Sequence, residues 1–173
     1  MTTPPDTGTE SNHEAAHAAY DFEIGLFILE IRMTPTREYS AAVATEDRKK
    51  WVLAAQETDR RARAENMIRM LMAGNVMDKA LGSTDPFVDQ RALGDDVAMN
   101  YFRRTYIPEP EWDKVMTRLR AEVTERITDL GSPMRQAIDT LAAQLKSIGH
   151  ATLPGDDVRK TLKRFLTPAN EPS

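Results

Sequence analysis

The sequence predicts an all-α fold: an irregular bundle of about six helices with an antiparallel helical hairpin at about 110–149 and disordered termini. Apolar residues recur at three- and four-residue spacing along most of the chain, the period of a helix with one buried face. A long middle segment, "TREYSAAVATEDRKKWVLAAQETDRRARAENMIRMLMAGN", has no proline and a single glycine. Two strongly amphipathic stretches are joined by only Gly131-Ser132-Pro133, a link so short that they must fold back on each other. At 173 residues one domain over 13–166 is expected, between an acidic tail at 1–12 and a second tail at 167–173.

"MTTPPDTGTESN" is rich in Thr, Pro, Gly and Ser and has no apolar residue after Met1, so it reads as disordered. From His13 the alanines and Tyr20, Ile24, Phe27 and Ile31 recur at steps of four, three and four, which predicts a helix. A strand through "DFEIGLFILEIRM" competes, because Phe22, Ile24, Leu26 and Ile28 alternate. The helix is preferred because Glu30 then falls off the apolar stripe and alanines precede it. Thr34-Pro35 has the form of a helix cap followed by an N1 proline. Thr45-Glu46-Asp47 offers an internal restart, with Trp51, Ala55, Thr58, Ala62, Ile68 and Met72 facing the core and Gly74 standing where a helix should stop.

Asp85-Pro86 and Gly94-Asp95-Asp96 mark two further helix starts, and "IPEPE" is a rigid break. From Glu111, the positions Trp112, Val115, Met116, Leu119, Val123, Ile127 and Leu130 keep one face. After Ser132-Pro133, Met134, Ala137, Ile138, Leu141, Leu145 and Ile148 do the same as far as Gly149. A last short helix carries Val158, Leu162 and Phe165.

His13-Glu14-Ala15-Ala16-His17 resembles the HExxH motif of zinc peptidases, in which two histidines one helical turn apart hold the ion and the glutamate is the general base. That resemblance implies a third ligand, which would be Glu23, six residues past His17, or Glu38. A zinc hydrolase with His13, His17 and Glu23 as ligands is therefore the remote alternative. Against it, Tyr20 stands where those peptidases have a turning glycine, and no strand-like stretch occurs in the 12 residues before His13. The favoured reading is the first turns of an exposed helix, with Glu10 and Glu14 at the positive end of its dipole. No catalytic residue and no cofactor is expected.

The chain has no cysteine, which excludes disulfides and thiolate metal sites. Its net charge of -4 argues against a protein that coats nucleic acid. The charge is uneven: Met1 to Ile31 holds six acids and no base, leaving 23 basic against 21 acidic residues for the remainder. The longest apolar run, "IGLFIL", is six residues, so no membrane segment is expected and a cytoplasmic location is the simplest reading.

These features together predict a small helical adaptor or regulatory protein, non-enzymatic, that contacts another protein or a second copy of itself as a homo-oligomer. Tyr20, Ile24, Phe27 and Ile31 on the N-terminal stripe, Met67 and Met70 in a methionine cluster, and Tyr101, Phe102 and Trp112 are the expected partner-binding residues. The alternative is an accessory nucleic-acid-binding protein of the repressor, plasmid or phage type. Arg60, Arg61 and Arg63, with Arg159, Lys160, Lys163 and Arg164, would then meet phosphates.

Overall fold

The structure, a computed structural model, describes residues 7–33, 41–83 and 88–169, with side chains from Thr9 and, in the third segment, from Ala92. It is a helical bundle: α1 (Thr7–Glu23), α2 (Arg48–Leu53), α3 (Glu57–Ala80), α4 (Val88–Tyr106), α5 (Trp112–Thr128), α6 (Pro133–Ile148) and α7 (Gly155–Leu162). A three-stranded antiparallel sheet of β1 (Ile28–Arg32), β2 (Ala42–Thr45) and β3 (Thr152–Pro154), in the order β2-β1-β3, covers one end. No helix among the described residues is long and apolar enough to cross a membrane.

The hairpin of α5 and α6 forms where it was expected. Val115, Leu119, Val123 and Ile127 from one arm, and Met134, Ala137, Ile138, Leu141 and Leu145 from the other, are buried. Ser132 caps α6 by accepting a hydrogen bond from the Arg135 amide at 3.0 Å, and Pro133 occupies N1. Leu130 departs from the expected face and is exposed.

The centre of the bundle is α1, which packs on α3 and α6. Ala15, Ala16, Ala18 and Ala19 have no exposed surface, so neighbours approach the helix closely on several sides. Its first turns lie inside the predicted tail. The chain is helical from Thr7, and Glu10 and Ser11 are buried, while residues 1–6 of that tail lie outside the described residues. At the other end Ala169 is tied down by donating its amide to Glu23 O at 2.9 Å, and 170–173 lie outside the described residues.

The continuous helix predicted through Ile31 does not form. Gly25, at φ 81°, closes α1: its amide donates to Phe22 O at 3.0 Å and the Leu26 amide donates to Asp21 O at 2.9 Å, a Schellman ending. The chain then enters β1, where a register irregularity between Ile28 and Glu30 buries both Ile28 and Ile31, three residues apart. That spacing imitates a helical one.

The proposed restart at Thr34-Pro35 falls outside the described residues. The internal restart at 45–47 is present: Asp47 caps α2 by accepting from the Lys49 and Lys50 amides at 3.0 and 3.1 Å. The core positions expected on the next helix hold only in part. Ala55, Ile68 and Met72 are buried, but Thr58 and Ala62 face solvent. Gly74 does not end α3, which continues to Ala80; the glycine sits in its interior with a buried backbone.

Candidate metal centre

Glu10, His13, Glu14, His17 and Asp21 form a polar stripe on α1, at the spacing of one helix face, and all five are buried. An exposed helix start is therefore excluded: His13 is 3% and His17 6% exposed. Polar groups taken out of water at this density require partners of opposite polarity: α3 and α4 supply those of the two histidines, and Arg48 of α2 donates to Asp21 at 3.1 Å.

His13 Nδ1 stands 2.8 Å from Asp78 Oδ2, and His17 Nδ1 stands 2.8 Å from Met70 O. A carbonyl oxygen only accepts, so His17 Nδ1 carries its proton and donates it; the Asp78 carboxylate orders His13 in the same tautomer. Both Nε2 atoms are thereby left as lone-pair donors. They face each other at 3.0 Å, and Asp95 Oδ2 from α4 approaches them at 3.2 Å from His17 and 3.6 Å from His13. Three electron-pair donors converge on one point.

Such a convergence is repulsive unless a positive charge lies within it. Burial, the largest single influence on His13, disfavours its charged form, yet the bonds from Asp78 and Asp95 and the charges of Glu14 and Asp78 push it up from 6.5 to about 10. His17 is raised in the same way, with burial overcome chiefly by Asp95. Burial acts to raise Asp95, but the two imidazoles outweigh it and hold the carboxyl below the usual carboxylate range. The site demands a cation, and either protons or a metal ion can provide the charge.

The distances suit a metal. Two ligand atoms bound to one ion at about 2.1 Å and subtending about 90–120° lie about 3.0–3.6 Å apart, the range spanned by the three separations here. Each histidine also donates its second ring nitrogen to an outer acceptor, the arrangement that fixes tautomer and ring orientation at metal sites. Among the described residues, His13, His17 and Asp95 are the one set of three or more such side chains placed to share an ion.

Gly74 makes the convergence possible. A Cβ at this position would lie 2.5 Å from His13 Cε1 and Nε2 and 2.6 Å from His17 Nε2, so any side chain would occupy the space the imidazole edges now use. On the solvent side, a cavity of about 460 Å³ opens between α3, α4 and α5, and Asp95 is part of its wall.

Of the residues singled out from the sequence for this chemistry, His13 and His17 are brought together and Glu23 is not. Glu23 forms a bidentate pair with Arg126 at 2.5 and 2.6 Å. Glu38 lies outside the described residues. Asp95 went unrecognised as a ligand because an acidic pair after Gly94 reads as a helix start. Asp78 likewise gave no local signal, and Gly74 read as the end of a helix.

The expected partner-binding residues mostly support the core. Tyr20, Ile24, Ile31, Met67, Met70 and Phe102 are buried. Trp112 is half-buried, donates from Nε1 to Ile107 O at 2.8 Å and lies under the Arg103 guanidinium. Only Phe27 and Tyr101 are exposed.

The basic residues proposed to meet phosphates are spread over α3, α7 and the turn that follows α7, and most have contacts within the chain. Arg60 donates to Ala55 O, Arg61 pairs with Glu111, Arg63 donates to Trp51 O, and Arg159 is held by Ile28 O and Asp156. Arg164 lies over the Phe165 ring, and Lys163 also has a partner. Lys160 is exposed. Comparison with protein-family models yields no match, and comparison with curated proteins yields none either.

Proposed function

We propose that the protein binds one divalent transition-metal ion through His13 Nε2, His17 Nε2 and Asp95 Oδ2, and that the ion keeps an open coordination position. One observation carries this reading: both imidazoles have their Nδ1 atoms committed to outer acceptors, so that the two Nε2 atoms and a carboxylate oxygen, meeting within 3.6 Å, are the positions left to share a proton or an ion. A structural ion is usually closed by four protein ligands, whereas three protein ligands leave a place for water or a substrate. Imidazole with carboxylate suits Zn²⁺ or Fe²⁺ better than Mg²⁺ or Ca²⁺, which take oxygen ligands. The ion would act as a Lewis acid on an oxygen bound beside Asp95.

The test uses protein purified without a polyhistidine tag. Metal analysis after dialysis, followed by titration with Co²⁺ and recording of the visible spectrum, is expected to give about one ion per chain with an intense low-coordination band. His17→Gln should abolish the band. A chain that takes up no ion at micromolar Zn²⁺ or Co²⁺ would show that protons alone occupy the site.

A second reading, a cytoplasmic adaptor or regulatory protein that contacts another protein or itself, is favoured by a different feature. Leu93, Val97 and Tyr101 recur every four residues on α4 and all are exposed. Val97→Glu is expected to abolish any self-association seen by light scattering, and a chain monomeric at high concentration would remove the homo-oligomer.

A further inference from the structure

We infer that the exposed face of α4 docks a second copy of this chain, the two α4 helices running antiparallel with Asp96 of each copy paired with Arg104 of the other. This rests on the homo-oligomer reading above. α4 packs chiefly on α3, with Met99 and Phe102 buried, and the other side of the helix is open. On that side Leu93 is 64%, Val97 72% and Tyr101 36% exposed. Three large apolar side chains at a four-residue spacing form one stripe, not single exposures scattered over a surface. Lys49 of α2 stands over one face of the Tyr101 ring, 4.2 Å from its centroid, so the ring is braced before any partner arrives.

Charge chooses the occupant. Asp96, Asn100 and Arg104 flank the stripe on one side at the same four-residue spacing, and all three are exposed. Asp96 and Arg104 are in no ion pair among the described residues. Eight residues of helix, about 12 Å, keep them from each other. The surface that satisfies both carries a base and an acid at this same separation in reverse order, and a second copy of α4 has it.

Two identical helices related by a twofold axis run antiparallel and present the same flank to each other. Asp96 then meets the partner's Arg104, Arg104 meets the partner's Asp96, and Asn100 faces the partner's Asn100 at the axis. In that register Val97 falls about 3 Å along the axis from the partner's Tyr101, so the two apolar stripes interdigitate beside the charges. The charges fix direction: a parallel pair would set Asp96 against the partner's Asp96.

The experiment is sedimentation equilibrium of the full chain at low ionic strength. It compares the parent with Asp96→Arg, Arg104→Asp and the double variant, with thermal unfolding to confirm that each is folded. The parent is expected to dimerise. Each single reversal sets like charges together at both ends of the interface, because the twofold axis repeats the contact, and should weaken dimerisation by about tenfold or more. The double variant should return to within about threefold of the parent. An equimolar mixture of the two single variants should associate more tightly than either alone. A parent dimer indifferent to the single reversals, or one that the double variant does not restore, would overturn this inference while leaving the homo-oligomer reading standing. A parent monomeric at high concentration would overturn that reading, and this inference with it.

Discussion

His13 Nε2 and His17 Nε2 lie 3.0 Å apart against the backbone of Gly74, where a Cβ would run into both imidazole edges. In an ordinary helix interior, replacing glycine by alanine stabilises by about 1 kcal/mol. Here the added methyl would sit 2.5–2.6 Å from ring atoms that are themselves held by Asp78 and Met70. Gly74→Ala is therefore expected to lose about 1–3 kcal/mol of stability in urea unfolding and to lose metal uptake. A variant more stable than the parent with unchanged uptake would mean that the imidazoles do not meet there.

Asp78 touches no ion in this arrangement; it holds His13 from behind at 2.8 Å. Asp78→Asn keeps the shape but weakens the acceptor that fixes the ring. The expected result is metal affinity lower by about 10–100-fold, with the stoichiometry at saturation preserved, as read by competition with a chromophoric chelator. Asp95→Asn removes a ligand charge and should lower the stoichiometry as well. Glu23→Gln separates the two candidate third ligands: because Glu23 is engaged by Arg126, uptake should remain at the parent's level.

How much of this was legible in the sequence depended on how local the cause was. The α5–α6 hairpin is specified by an unbroken apolar period and a cap-proline link, all within some 40 residues, and it forms as predicted. The β1 strand was hidden because its irregular register buries Ile28 and Ile31 three apart, so strand and helix gave the same pattern. The HEAAH segment was visible as a motif but misjudged as surface. Its burial follows from α3 and α6 closing over α1, and its third ligand lies 78 residues beyond His17. Gly74 was recognised as special for the wrong reason: a helix tolerates an interior glycine where something else needs the room.

Tyr20 offers a test that is independent of the metal. Its hydroxyl is buried with no hydrogen-bond partner among the described residues, and burial pushes the phenol up to about 12. An unsatisfied buried hydroxyl costs about 1–3 kcal/mol of desolvation. Tyr20→Phe keeps the ring packing and is expected to be neutral or stabilising in thermal unfolding, whereas a loss above about 1 kcal/mol would reveal a partner for the hydroxyl.

The charged seam between α3 and α5 sets a pH dependence whose sign can be worked out. Glu122 accepts from Arg69 at 2.8 Å and from Arg118 at 2.9 Å, and Arg118 also reaches Glu65 at 2.6 Å. Burial acts to raise Glu122, but the two guanidinium groups outweigh it, so its folded value lies below the ordinary 4.5. A depressed carboxyl contributes stability that is fully present above its unfolded value and is lost as pH falls through the folded one. Glu122→Gln should therefore be less stable than the parent near neutral pH, by only about 0.5–1 kcal/mol, because Glu122 and Arg118 are both more than a third exposed and water screens the pair. The gap should close as pH drops from about 5 toward 3 and should shrink in molar salt. Urea unfolding of both proteins across that window checks it, and a gap that stays constant or widens in acid would show that Glu122 is not held ionised by its arginines.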